Sequence, residues 1–258
     1  MAETMIAVEG GEVWADDSGG GPPVVLLHPG TGDSRIWEPV LPALTASWRV
    51  IRYDARGFGR SPAPTVKFSL LADLITVLDF FRLDRVAVVG CSQGGSSALG
   101  LALEHPARVS ALVLLCPGVP GCPWPEQPAD ELEAEYERAL EAGDVEALAG
   151  LTQRVWAAAG PTPAVMEQLR SAARAAISSG DLQQQDPPVF DRLGEISVPT
   201  SLLVGDAVYP PLIEVARLAA ARIAGCELTV APGMDHLPPL RDPDLVLRVI
   251  RSTLSRAD

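Results

Sequence analysis

Two stretches of this chain carry residue types and spacings that could do covalent chemistry together. Gly90-Cys91-Ser92-Gln93-Gly94 is a G-x-S-x-G sequence between an apolar, strand-like run and a small-residue, helix-like run. In that setting a sharp strand-to-helix turn holds the central serine in a strained conformation. Glycines two residues to either side let neighbouring backbone approach without a Cβ in the way. The helix start then aims its amides and positive dipole end at the serine oxygen. The chemistry would be nucleophilic acyl transfer by Ser92. Cys91 is no substitute, because such a turn presents only its central residue. A glycine-rich turn with a surface serine is the bland alternative, and the flanking strand and helix weigh against it.

A serine nucleophile needs a base, and the chain has three histidines. His28 belongs to a loop after a buried run, and His105 ends a helix in EHPARV, where capping is its expected role. His236, in APGMDHLPPLRDP, follows the last apolar run and precedes the final helix. It is the residue able to activate Ser92. A tetrahedral intermediate also needs two preformed donors. The backbone N–H of Gln93 is one, and the loop His28-Pro29-Gly30-Thr31-Gly32 offers the other. Pro29 has no N–H, which leaves Gly30.

The elements that must position these residues follow from the apolar pattern. Runs at 23–28, 48–54, 85–90, 109–116, 200–205 and 226–231 read as buried parallel strands. Helical patterns at 71–83, 96–105 and 212–224 alternate with them. Such alternation predicts an α/β fold, a mostly parallel sheet flanked by helices and joined by right-handed crossovers. TMIAVEG and EVWADD read as an antiparallel hairpin leading into it. The alternation stops between Gly118 and about Glu195, where a Pro-rich stretch and repeated helix starts predict an all-helical insertion. The expected organisation is a core of residues 1–117 and 196–258 with a helical cap of 118–195, lying over the carboxyl ends of the strands, where open sheets bind ligands.

Composition narrows the partners. A formal charge of −13 and a single lysine, Lys67, speak against nucleic-acid binding. No apolar run reaches membrane-spanning length. The amino terminus lacks a basic region followed by an apolar stretch, so the expectation is a cytoplasmic protein. The four cysteines have no metal-type spacing. A small-molecule substrate with no metal or organic cofactor is expected.

These residues resemble the α/β-hydrolase superfamily over nearly the whole chain. Tyr53-Asp54-Ala55-Arg56-Gly57-Phe58-Gly59-Arg60-Ser61 is similar to its D-x-R-G-x-G-x-S turn, which is structural in the family. The closest resemblance is to small bacterial esterases and enol-lactone hydrolases with a helical cap. Two departures lie near the site: Pro29 stands where a glycine usually follows the loop histidine, and Asp235 where one commonly precedes the base. A third concerns the acid that should support His236. The spacing G-x-x-D counted from Gly205 lands on Val208. Counted from the proline pair, Asp206-Ala207-Val208-Tyr209-Pro210-Pro211 matches D-P-V-x-P-P in a shortened loop, which makes Asp206 the candidate acid. The absence of a functional acid is the alternative.

The resemblance also narrows the chemistries. Dehalogenases and epoxide hydrolases of this fold carry aspartate at the nucleophile, and hydroxynitrile lyases use a lysine in the site. C–C hydrolases tend to have an aromatic residue after the histidine, where this chain has Leu237 and Pro238. The expected function is therefore cleavage of a carboxylic ester or lactone through an acyl-enzyme. A ligand-binding or signalling protein, a biosynthetic cyclase and a C–C hydrolase are the alternatives. Asp33, Arg35, Trp124 and Trp156 are candidates for the substrate pocket, with capping and core packing as their alternative role.

Overall fold

The apolar runs from 23 to 205 form strands largely covered on both faces, whereas the last, 226–231, expected to be buried, forms a partly exposed edge strand. The structure, a computed structural model, describes residues 2–123 and 131–257. The strands are β1 (Ala2–Val8), β2 (Gly11–Gly19), β3 (Pro23–Leu27), β4 (Arg49–Tyr53), β5 (Val86–Cys91), β6 (Val109–Leu115), β7 (Thr200–Gly205) and β8 (Glu227–Ala231). They make one sheet in the order β1-β2-β4-β3-β5-β6-β7-β8. β2 pairs antiparallel with β1 and with β4, and every other pairing is parallel. The α/β fold anticipated from the alternation is the fold observed.

The helices are α1 (Leu41–Thr45), α2 (Leu70–Phe80), α3 (Gln93–Glu104), α4 (Glu131–Glu141), α5 (Val145–Trp156), α6 (Pro163–Ser179), α7 (Pro210–Arg222), α8 (Pro238–Arg241) and α9 (Pro243–Leu254). Along β3, Val25 and Leu27 join one buried cluster with Leu74 of α2, Leu99 of α3 and Val215 of α7. Val24 and Leu26 join the other, with Leu44 of α1 and Ile250 of α9. Alternate residues of β5 and β6 divide the same way, so these strands have no polar face.

Between β6 and β7 the chain leaves the sheet to form α4, α5 and α6. Side chains start the last two: Asp144 accepts the Ala147 N–H at 3.0 Å, and Thr162 accepts that of Val165 at 3.2 Å. Caps of this kind stabilise a helix by about 1 kcal/mol. Ala149, Ala157, Val165 and Leu169 of this insertion share a buried cluster with Met234 and Leu237 at the end of the sheet. Among the described residues no helix is long and apolar enough to cross a membrane.

Candidate active site

β5 ends in the turn that carries Ser92, whose φ of +51° and ψ of −113° lie outside the common regions for a side-chain-bearing residue. Such a conformation costs about 1–3 kcal/mol and needs support from its surroundings. The backbone supplies it: Ser92 N–H donates to Leu115 O at 2.9 Å, and Ser92 O accepts from Ser96 and Gly118 at 3.1 and 3.0 Å. The flanking glycines are required by close approach. A Cβ on Gly90 would overlap Gly94 O, and one on Gly94 would overlap Leu27 O.

His236 lies between β8 and α8, and its Nε2 is 2.7 Å from Ser92 Oγ. The ring is 2% exposed. Burial holds its pKa down at about 4, against the opposing pull of the Asp235 carboxylate. Its other nitrogen, Nδ1, has no hydrogen-bond partner. For Ser92 to donate to Nε2, the proton of the neutral ring must sit on this unpaired Nδ1. The indole of Trp156 packs at 4.5 Å from the imidazole centroid, and Trp156 O accepts the His236 N–H at 3.2 Å. Asp235 is fully buried and turned away to Arg241, with N–O contacts of 2.6 to 3.1 Å, and to the Leu237 and Ala159 N–H groups.

The acid expected at Asp206 is not in place. Asp206 is exposed, and its Oδ1 accepts the Gly233 N–H at 2.6 Å. The shortened loop explains this. Asp206 is the first residue beyond β7, and its N–H still donates to Ala231 O at 3.0 Å as a continuation of the sheet. Gly205 lies so close to Met234 that a Cβ there would overlap Met234 O. The side chain therefore points over the turn after β8 and leaves His236 Nδ1 unpaired. Val208, where the other alignment expected an acid, is 5% exposed and packed in the apolar core.

The loop after β3 abuts the nucleophile turn: a Cβ on Gly30 would come 2.8 Å from Gln93 Oε1. His28 anchors this loop. Its Nδ1 donates to Pro29 O at 2.8 Å, and its Nε2 accepts the Ala55 N–H at 2.9 Å, so it has no free nitrogen for proton transfer. Asp33 caps the short 3-10 turn Ser34–Trp37, the role weighed as its alternative to lining the pocket, and Arg35 is paired with it. Asp33 is fully buried and accepts from Arg35, Gln168 Nε2 and Ser171 Oγ, the last at 2.6 Å. Burial alone would raise the Asp33 pKa, but the bonds from Arg35 and Ser171 win and hold it far below the usual carboxylate range. Arg35 also pairs with Glu167. These charges fasten the loop to α6 through Gln168 and Ser171. No sequence pattern marked those two residues, because their partner lies on a distant element.

A cavity of about 380 Å³ lies between the loop, the nucleophile turn and the helical insertion. Among the described residues, Gly30, Gln93, Phe58, Thr152, Trp156 and Gln183 line it with an alanine-rich face of α6, and none of these lining side chains carries a formal charge. Trp156, a candidate for the substrate pocket, is among these lining residues. Trp124 lies outside the described residues. A larger cavity of about 600 Å³ opens at the amino ends of the strands, beside Val24, Ala87 and Ser110, away from Ser92. Among the described residues no cluster of three or more His, Cys, Asp or Glu could hold a metal ion.

Known proteins are similar to this chain in part of its sequence and in fold. A Caulobacter segnis protein provisionally named carbamate hydrolase RutD is 42% identical over 98 residues, 36% of this chain and 37% of its own length. A Pseudomonas putida 2-hydroxy-6-oxo-2,4-heptadienoate hydrolase is 40% identical over 118 residues, 43% of each chain. The matched stretches thus span less than half the length of these relatives. Among solved structures, Est816, described as an N-acyl homoserine lactone degrading enzyme, superposes with a TM-score of 0.80 at 26% identity, covering 96% of this chain and 99% of its own. The family model described as alpha/beta hydrolase fold matches residues 22–151, just over half of the 258 residues. The chain belongs to the alpha/beta hydrolase fold family.

Proposed function

We propose that the protein is a serine hydrolase that cleaves uncharged carboxylic esters or lactones through an acyl-enzyme, with residues 118–195 as a cap over its site. The observation that carries this reading is the 2.7 Å contact between Ser92 Oγ and His236 Nε2 at a strained strand-to-helix turn. Ser92 Oγ attacks the carbonyl carbon while Nε2 takes its proton. The oxyanion forms against the backbone N–H groups of Gly30 and Gln93, each worth about 3 kcal/mol in such sites. Collapse of the intermediate expels the alkoxide, which takes the proton from His236. Water, activated by the same nitrogen, then releases the acid.

The uncharged cavity lining supports neutral substrates. It disfavours the C–C hydrolase alternative, because a dienoate carboxylate would enter this cavity without a cationic partner. The unpaired Nδ1 supports slow turnover, since loss of a supporting acid costs roughly 10⁴ in rate in triad enzymes. The same observation favours a second reading, a family member that binds a ligand without acyl transfer. A fluorophosphonate probe separates the two. Stoichiometric labelling of Ser92, lost in Ser92→Ala, is expected, followed by turnover of neutral p-nitrophenyl esters or lactones. Folded protein that stays unlabelled would end the hydrolase reading.

A further inference from the structure

We propose that Trp156, at the end of α5, is a positioning residue that holds the His236 ring against Ser92 in place of the missing carboxylate. This rests on the reading of His236 as the base. The imidazole needs two restraints, one on its backbone and one on its ring torsions. A triad acid supplies the second by bonding Nδ1, but here Nδ1 is unpaired. The backbone restraint comes from Trp156 O, one of the carbonyls left free where a helix ends, which accepts the His236 N–H at 3.2 Å. The indole supplies the other by packing on the ring at 4.5 Å, inclined at 45°.

A second clamp fixes the same two segments to each other. Asp235 Oδ2 accepts the Ala159 N–H at 3.1 Å, and Arg241, paired with Asp235, donates to Gly160 O at 2.7 Å. Ala157, between these contacts, is fully buried with Met234 and Leu237. Residues 156–160 of the insertion therefore grip residues 235–241 of the core through backbone, ring and the hydrogen bonds of the Asp235 and Arg241 side chains. A base held this way is in register with Ser92 only while the insertion is docked.

His236 titration reads this placement directly, and it does not depend on whether any substrate is turned over. The groups facing the ring are Ser92 at Nε2, the Trp156 indole, and the Asp235–Arg241 pair on its own loop. Cys91 and Cys116 sit beneath the loop, their Sγ atoms 3.9 Å from the His236 and Asp235 carbonyl oxygens. Tyr209 packs beyond Trp156, and Asp206 is held at Gly233. With three histidines in the chain, NMR titration can assign His236 by removing His28 or His105 in turn.

Trp156→Ala should let water reach the ring and raise its midpoint from about 4 by roughly one pH unit or more. In active protein, kcat should fall about 10- to 100-fold, more than KM changes. Trp156→Phe, which keeps a ring on the imidazole and the backbone contact, should restore most of both. If Trp156→Ala does not fold, Trp156→Leu, which keeps the backbone contact and an apolar side chain but no ring, should shift the midpoint upward in the same sense. An unchanged midpoint in a folded variant overturns the proposal. Failure of fluorophosphonate labelling with a shifted midpoint would instead overturn only the hydrolase reading.

Discussion

Asp206 Oδ1 accepts the Gly233 N–H at 2.6 Å, so the aspartate nearest the expected acid position serves a surface turn and leaves the His236 ring alone. This relationship changes what the loop after β7 is for. It fixes the turn that precedes His236 without touching the imidazole.

Two substitutions in this loop should therefore behave oppositely. Asp206→Asn keeps an oxygen for Gly233 and should leave kcat within about twofold of wild type, with a stability loss of about 1 kcal/mol, read from ester turnover and chemical denaturation. A fall in kcat of orders of magnitude would return Asp206 to the catalytic group. Val208→Asp puts a carboxylate three residues after Gly205, where the family resemblance expects one. It should raise kcat by at least about 100-fold and raise the His236 midpoint. Unchanged turnover in folded Val208→Asp would mean that this position does not reach Nδ1.

As the proposed base, buried His236 sets an unusual pH range. His236 must be neutral to accept the Ser92 proton, and the ring binds its own proton only near pH 4. kcat/KM should stay flat from pH 8 to about 5 and fall below about 4, rather than near the ordinary histidine value of about 6.5. The same shift bears on stability. The unfolded chain binds this proton near pH 6.5 and the folded chain only near 4, so the folded state is disfavoured as pH falls between them. The contribution is complete above about 6.5, and about 3 kcal/mol of it is lost by pH 4. Denaturant unfolding as a function of pH, compared with His236→Gln, checks the sign and size.

The fastening between the loop and α6 makes a third expectation. Asp33→Ala removes the acceptor shared by Arg35, Gln168 and Ser171 and should cost about 3 kcal/mol. Because the loop carries Gly30 beside the nucleophile turn, kcat should fall with stability, while fluorophosphonate labelling of Ser92 should persist more slowly. Turnover equal to wild type in the folded variant would separate the fastening from the site.

The sheet, its helices and the positions of Ser92 and His236 were legible in the chain's local patterns. Those features are written locally: apolar runs bounded by turn residues, glycines flanking a serine, a histidine between the last strand and the last helix. Asp33 was also legible as a helix cap, since it accepts the N–H of Arg35 two residues on. Its bonds to Gln168 and Ser171 were not, because they join residues 135 and 138 positions apart. The acid was the least legible feature. Two alignments of one loop differed by two residues, and the choice depended on where Gly205 packs against Met234. It took the packed fold to turn Asp206 to Gly233, to lay Trp156 on His236, and to leave His236 Nδ1 without a carboxylate. Each is a contact between segments brought together by the sheet, and side-chain direction at the end of a strand is set by what that end packs against.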